Sequence, residues 1–425
     1  MKRVLIISYY WPPTGGSGVQ RWVKFAKYLP QYGWQPVIYT PENPEQLARD
    51  ESLLDEIPAE VEVVKTKIWE PYEVYRKFRG KGGDKKEVNP INAGQKSWKQ
   101  KLAVWLRGNL FVPDPRIGWV KPSVKFLMKY LKEHPVDVIV TTGPPQSMHL
   151  IGRGLKRATG VRWIVDFRDP WTQMFYFKHL GLTKLSERKH RKLEQSVLDE
   201  ADAIISVTPL VQADFQAATK TPVVLITNGF DEDDFSAVAT KAGDRFTIVH
   251  TGLFAADGNP LKLWDVLAAK CEADPEFREK MQIRLAGKVD AEIFSAIRER
   301  GLEPNLADLG YLPHTQITAE QREASMLILP LRQEPEYRKV LPGKIFEYLA
   351  ARRPVLGIGQ EDGAAASVLR DCGSGEMHDW DKSAPLDAFI DKQWTQWKSG
   401  DVQPVGDDIS RYSRRSLTQK LITIL

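Results

Sequence analysis

The run Val4-Leu5-Ile6-Ile7-Ser8, the turn Gly15-Gly16-Ser17-Gly18, the apolar residues Val19, Trp22, Val23, Ala26 and Leu29 at helical spacing, and the returning run Trp34 to Thr40 decide the fold. A near-continuous apolar run of strand length has both faces covered, which is the condition of a strand in a parallel sheet. A glycine turn that opens a helix, with Gly33 closing that helix before the next strand, completes a β-α-β unit. Outward from it the alternation continues. Strands are read at Val61–Lys65, Val136–Thr141, Arg162–Asp166 and Ala203–Val207, with helices around Pro122–Glu133, Met148–Thr159 and Glu187–Glu200. A second series is read from Val223–Thr227 through Phe246–His250, Ile283–Ala286, Met326–Pro330 and Val355–Ile358. The expectation is α/β: two doubly wound sheets in tandem, divided as 1–208 and 209–405, with a terminal helix in 406–425.

Length and composition agree with that division. The chain has 425 residues, 42% hydrophobic and 27% charged, which suits two soluble α/β domains. The apolar run after Met1-Lys2-Arg3 stops at four residues and meets Trp11-Pro12-Pro13, so it is too short for a secretory core. No stretch reaches the roughly 18–20 apolar residues of a spanning helix. A cytoplasmic chain is therefore expected. Cys271 and Cys372 stand alone, without CxxC or histidine-rich neighbours, and read as two buried thiols rather than a disulfide or zinc site.

Charge is unevenly spread. Between Arg76 and Lys132 fifteen basic residues face Asp84, Glu87 and Asp114, a net of +12 in a chain of +5, which leaves −7 elsewhere. A local field implies a local anionic partner. Within the long insertion 68–115, Trp98, Leu102, Trp105, Leu106 and Leu110 recur at helical spacing among Lys99, Lys101 and Arg107. Two readings follow: a helix packed on its own domain, or a basic amphipathic helix that docks at an anionic membrane surface. No recognisable nucleic-acid module accompanies the charge.

Three groups of residues carry chemistry. Gly15 and Gly16 let the backbone approach a ligand at a helix N-terminus, where negative charge is favoured, although the same glycines also serve a plain tight turn. In the second half, Arg338-Lys339-Val340-Leu341-Pro342-Gly343-Lys344 brings three cations to the start of a helix, and Glu347 lies one turn in. Thr142 to His149 and Asp166 to Trp171 each follow a strand, and carboxyl ends of parallel strands are where open α/β sheets bind ligands. His149, Arg168 and Asp169 are the candidates there for orienting a reacting group. For His149 the alternative is a capped structural residue, and for Arg168 and Asp169 an internal ion pair.

The segment Ile226-Thr227-Asn228-Gly229-Phe230-Asp231 resembles the PNGVD segment of family-four glycosyltransferases. Lys344-Ile345-Phe346-Glu347-Tyr348-Leu349-Ala350 through Pro354-Val355 resembles their K-x-FEYLA donor helix, and Gly15-Gly16 stands in the family's place after the first strand. The resemblance implies the GT-B architecture, with an acceptor-binding first domain, a donor-binding second domain, and a last helix that crosses back. It also implies transfer of a hexose from a nucleotide diphosphate sugar to a hydroxyl acceptor, a glycan or lipid-linked glycan, with retention and without a metal or other cofactor. The donor residues it implies are Gly15, Gly16, Gly252, Lys262, Gly343, Lys344 and Glu347, to which the cations Arg338 and Lys339 are added by their charge. The family's pattern places a first Glu eight residues before the second. Lys339 stands there, so Glu334, Glu336 or the turn Pro342-Gly343-Lys344 is left to take that part. Two rival readings share the fold: a sugar-nucleotide epimerase and a non-catalytic glycan-binding relative.

Overall fold

The computed structural model describes residues 1–45, 49–70, 98–174, 177–235, 243–400 and 404–425. They form two compact units, Met1–Thr227 with Thr418–Leu425, and Asn228–Leu417.

The first unit is built on a seven-stranded parallel sheet in the order β3-β2-β1-β4-β5-β6-β7. The strands are β1 (Lys2–Ile7), β2 (Trp34–Pro41), β3 (Glu62–Thr66), β4 (Val138–Gly143), β5 (Arg162–Phe167), β6 (Ala203–Ser206) and β7 (Val223–Leu225). Its helices are α1 (Ser17–Tyr28), α2 (Trp98–Leu110), α3 (Ile117–Glu133), α4 (Ser147–Thr159), α5 (Lys184–Glu200) and α6 (Pro209–Ala218). Val4 to Ile7 are fully buried, as a strand covered on both faces must be. Two of the helices, α5 and α6, start at a side-chain cap: the Thr183 and Thr208 hydroxyls accept the N–H groups of Ser186 and Val211, and Pro209 sits at the first turn of α6. Strand order reverses between β1 and β4, and there the glycine turn after β1 and the end of β4 come together.

The second unit repeats the plan with six parallel strands in the order β10-β9-β8-β11-β12-β13. These are β8 (Phe246–Thr251), β9 (Met281–Ala286), β10 (Leu306–Gly310), β11 (Met326–Pro330), β12 (Val355–Ile358) and β13 (Gly375–His378). The helices around them are α7 (Leu261–Ala273), α8 (Pro275–Lys280), α9 (Ala291–Arg298), α10 (His314–Glu323), α11 (Lys344–Ala351), α12 (Ala364–Asp371) and α13 (Ser383–Lys398). A last helix, α14 (Arg414–Ile422), ends the chain. The guanidinium of Arg162, at the start of β5, donates to the carbonyl of Ile424 at 3.0 and 3.1 Å. Cys271 and Cys372 are free and buried.

Two sequence expectations change. Val223–Leu225 opens no second series: it pairs with β6, Ile204 to Val223, and closes the first sheet. The first unit therefore runs to Thr227 and not to 208. Leu306–Gly310 and Gly375–His378, not foreseen as strands, form the two edges of the second sheet.

One buried ion pair organises the first unit. Arg21 lies on α1 between Val19 and Trp22, and both it and Asp166, on β5, are fully buried. Asp166 accepts from Arg21 Nη2 at 2.9 Å, Arg21 Nε at 3.2 Å, Trp22 Nε1 at 2.7 Å and Thr142 Oγ1 at 2.9 Å. The same guanidinium donates to the carbonyls of Ile226 and Thr227 at 2.9 and 2.7 Å. Burial pushes the Asp166 carboxyl up, but Arg21 outweighs it and holds the group below its ordinary range. Removing one partner strands a buried charge. Arg21→Ala is expected to cost about 3–5 kcal/mol in urea unfolding, whereas the double change Arg21→Met with Asp166→Leu should cost less than the single one. A double variant less stable than Arg21→Ala would refute this account.

Candidate functional site

In the second unit the site forms where β8 ends. His250 is the last buried ring of that strand before Thr251 and Gly252, and it packs on Phe254 at 4.4 Å. Gly252 adopts φ 88°, a left-handed conformation that a side chain would strain. A Cβ there would touch the end of the Lys344 side chain at 3.7 Å. Lys344 begins α11, whose N-terminus has no side-chain cap. Its Nζ donates to His250 Nε2 at 2.9 Å and to the Leu253 carbonyl at 3.0 Å. Because Nε2 accepts, the ring proton belongs on Nδ1, which is buried without a partner. Burial pulls the Lys344 ammonium down to about 8, with Glu347 opposing the shift. His250 is held far below its ordinary range by burial and by Lys344.

Glu347 lies one turn along α11, and its Oε2 accepts from Gln321 Nε2 at 3.0 Å. The same Nε2 lies 2.9 Å from Thr251 Oγ1. Gln321 is fully buried on α10. The Tyr348 hydroxyl accepts the Thr251 N–H at 3.0 Å. Beneath the exposed end of the site, His250, Thr251, Gln321 and Tyr348 thus fix both Lys344 and Glu347.

The other donor candidates scatter. Gly343 precedes Lys344 in helical conformation. Arg338 is exposed and pairs with Asp362 at 2.9 Å, and Lys339 ends the short 3-10 turn Pro335–Lys339. Lys262 is a solvated residue of α7 that pairs with Asp265 at 3.5 Å, and no contact joins it to Lys344 among the described residues. Of the acidic alternatives, Glu334 keeps a buried carboxylate oxygen that accepts no hydrogen bond.

In the first unit, Gly15 and Gly16 lead into α1, and Gly16 takes φ 116°. No side chain caps this helix either. A Cβ at residue 18 would lie 1.7 Å from Arg168 Nη1, so the glycine leaves the room that the guanidinium occupies. Arg168 Nε donates to the Gly143 carbonyl at 3.2 Å and its Nη2 to that of Pro144. No ion pair joins Arg168 to Asp169 among the described residues. Burial lowers the Arg168 pKa and raises that of Asp169, each opposed by the other's charge. The glycine turn and Arg168 are thereby brought together.

His149 is not part of that surface. It is fully buried, with Nδ1 3.0 Å from Thr141 Oγ1 and its ring on Phe167 at 4.6 Å. Burial drives its pKa to about 3, so the ring is neutral at ordinary pH. A Cβ on Gly143 would meet its Nε2 at 2.5 Å. His149 is thus placed beneath Gly143 as a fully buried ring, its Nε2 without a hydrogen-bond partner. Sequence reasoning also passed over Arg21, Gln321 and the His250 ring, and read Asp166 only as the start of a candidate segment, not as a buried ion-pair partner. Arg21 falls off the stripe of Val19, Trp22, Val23 and Ala26, so the periodicity gave no signal of its burial.

Comparison with known proteins places this geometry. No curated protein matches the chain. Among solved structures it resembles sucrose-phosphate synthase from Thermosynechococcus elongatus, with 14% identity, a TM-score of 0.63, and 100% of this chain and 98% of that one covered. A glycosyltransferase from Rickettsia africae gives 14%, 0.62, 100% and 97%. TarM of S. aureus, solved with fondaparinux, α-GlcNAc-glycerol and UDP, gives 10%, 0.58, 100% and 99%. At such identities the likeness shows the fold, two Rossmann-like domains of the GT-B kind. The sequence itself matches the family described as Glycosyltransferase Family 4 over residues 16–234, more than half of the chain, and the protein therefore belongs to glycosyltransferase family 4.

Proposed function

We propose that the protein transfers a hexose from a nucleotide diphosphate sugar to a hydroxyl of a glycan or lipid-linked glycan, with retention at the anomeric carbon. The observation that carries this is Lys344, a cation set over Gly252 at the uncapped start of α11. A diphosphate needs an ammonium and backbone N–H groups together, and this end of the sheet offers both. Glu347, held by Gln321, is the acceptor for donor hydroxyls. As the bond to the sugar breaks, negative charge grows on the leaving diphosphate, and a fixed ammonium stabilises it at the point where it develops. No metal or other cofactor is included in the proposal. Arg168 and Asp169 take the acceptor side, with Arg168 as the cation for an oxygen-bearing group, and the Gly15-Gly16 turn is kept as a donor-binding turn.

Glu347→Ala should weaken donor binding by about 1.5–3 kcal/mol, the worth of a hydrogen bond to a charged group. Lys344→Ala should reduce turnover as well as affinity. Isothermal titration with nucleotide diphosphates and their sugars, beside product analysis, reads both; unchanged binding in both variants would remove the proposed site. Product formed from donor alone, by inversion at a ring carbon, would favour an epimerase.

The lysine also sets a pH dependence. Lys344 must be charged to hold the diphosphate, so kcat/KM for the donor should be full below pH 8 and fall as pH rises through about 8. Lys344→Arg should move that limb to higher pH, because the guanidinium stays charged. A basic limb that stays in place in Lys344→Arg belongs to another group.

The proposal extends to an anionic membrane surface. On α2, Val104 is buried while Leu102, Trp105, Leu106 and Leu110 are 38–63% exposed. Asn109 ties the helix down by donating to the Gly181 carbonyl at 3.1 Å and accepting the Thr183 N–H at 2.7 Å. The outward apolar face favours docking over packing on the protein's own core. Residues 71–97 of the basic window lie outside the described residues. Among the described residues no helix is long and apolar enough to cross a membrane. Sedimentation should be greater with anionic than with neutral vesicles, decrease at high salt, and decrease in Leu106→Asp. Equal, negligible binding to both vesicle types would leave a soluble acceptor as the better reading.

A further inference from the structure

Away from these residues, α3 and α4 run side by side and leave a groove of about 530 Å³ between them. Both helices have their N-termini at the carboxyl edge of the sheet: α4 begins four residues after β4 ends, and α3 returns to the amino edge before β4 starts. Val120, Val124 and Met128 from α3, with Leu150 and Gly154 from α4, make an apolar floor. Gly154 lets the two helices approach closely beneath it, because a Cβ there would lie 2.8 Å from Val124 Cγ2.

The rim is cationic on both sides, with Lys121 and Lys125 on α3 and Arg153 and Arg157 on α4. Arg157 is occupied by Glu200, two contacts of 2.6 Å. Arg153 donates to the Ser196 hydroxyl, and no carboxylate pairs with it among the described residues. Lys121 and Lys125 are exposed one helical turn apart, likewise without an ion-pair partner among the described residues. Three cations thus surround an apolar track without matching carboxylates.

The chemistry and the size of the groove choose its occupant. A free phosphate or nucleotide would use the rim and leave the apolar floor in water. An acidic amphipathic helix would use both, but its i, i+3, i+4 and i+7 anchors need a floor about 10–12 Å wide as well as long, and here Val124 packs against Gly154 and narrows it. From Val120 to Met128 the floor extends about 12 Å, a narrow track suited to one hydrocarbon chain beneath an anionic head. We propose that this groove binds one chain of an anionic membrane phospholipid. The phosphate would lie on Lys121, Lys125 and Arg153, and the chain over Val124, Leu150 and Met128. The site is separate from the α2 face and from the donor residues.

The test uses the full chain and monomeric lysophosphatidate, with a monoacylglycerol of the same chain and glycerol phosphate as the two halves of that ligand. Titration calorimetry should show one saturable site for lysophosphatidate, weakened at high salt, with the monoacylglycerol roughly tenfold weaker or worse and glycerol phosphate not saturating. Charge reversal of both lysines, Lys121→Glu with Lys125→Glu, should weaken lysophosphatidate roughly tenfold or more. Met128→Trp, which fills the track from an exposed position, should weaken it too. Leu106→Asp on α2 should leave it unchanged. Anionic vesicles should compete and neutral ones should not. Equal binding of the charged and uncharged lipids, indifference to both groove variants, failure of anionic vesicles to compete, or displacement by an acidic amphipathic peptide at lower concentration would overturn the proposal. None of these measurements involves the sugar donor, so the transfer reaction is tested separately.

Discussion

The buried pair of Arg21 and Asp166 is the constraint from which the chemistry of the first unit follows. Two opposite charges, fully removed from water, are tolerated only when every remaining donor and acceptor is also paired, and here the pairing partners come from four places in the chain. Trp22 belongs to α1, Thr142 to β4, Asp166 itself to β5, and the carbonyls of Ile226 and Thr227 to the segment after β7. Gly18 stands one turn before Arg21, and Arg168 stands two residues after Asp166. The glycine turn and the arginine above it are therefore located by an interaction that neither of them makes. Displacement of that pair would move both the glycine turn and Arg168.

The second unit reaches a similar result with no fully buried ion pair among its described residues. Its underlayer is neutral: a histidine kept uncharged, a glutamine, a threonine and a tyrosine, all with burial holding their positions. The charges, Lys344 and Glu347, are only half-buried above it. Such an arrangement spares the desolvation cost of a closed pair and leaves the lysine with neutral hydrogen-bond acceptors in place of a carboxylate. The depressed Lys344 pKa and the single accepting nitrogen of His250 are two aspects of that neutral setting.

Much of this was legible in the residues. Central strands were visible because they are buried on both faces and read as unbroken apolar runs, as in Val4–Ile7 and Met326–Leu329. The edge strands β10 and β13 escaped notice because Leu306-Ala307-Asp308 and Gly375-Glu376-Met377-His378 are only partly covered and carry no such run. The end of the first sheet was misplaced for a related reason, since Val223–Leu225 looks the same whichever sheet it joins. Lys344 and Glu347 were accessible through a motif, and the structure joins them to Gly252. Lys262 and His149 show the limit of that approach. Position after a strand or in a motif does not reveal whether a side chain faces solvent, a neighbouring carboxylate or the core, and those two face a carboxylate and the core.

The space above Gly18 has a consequence for how this sequence can vary. Because the missing Cβ and the Arg168 guanidinium occupy the same volume, positions 18 and 168 are not independent choices, although 150 residues separate them. A lineage that gained any side chain at 18 would first have to lose or redirect the arginine, and a lineage without the arginine would be free to fill 18. The two positions therefore constrain one another, and a side chain at 18 would carry the Arg168 guanidinium off the carbonyls of Gly143 and Pro144.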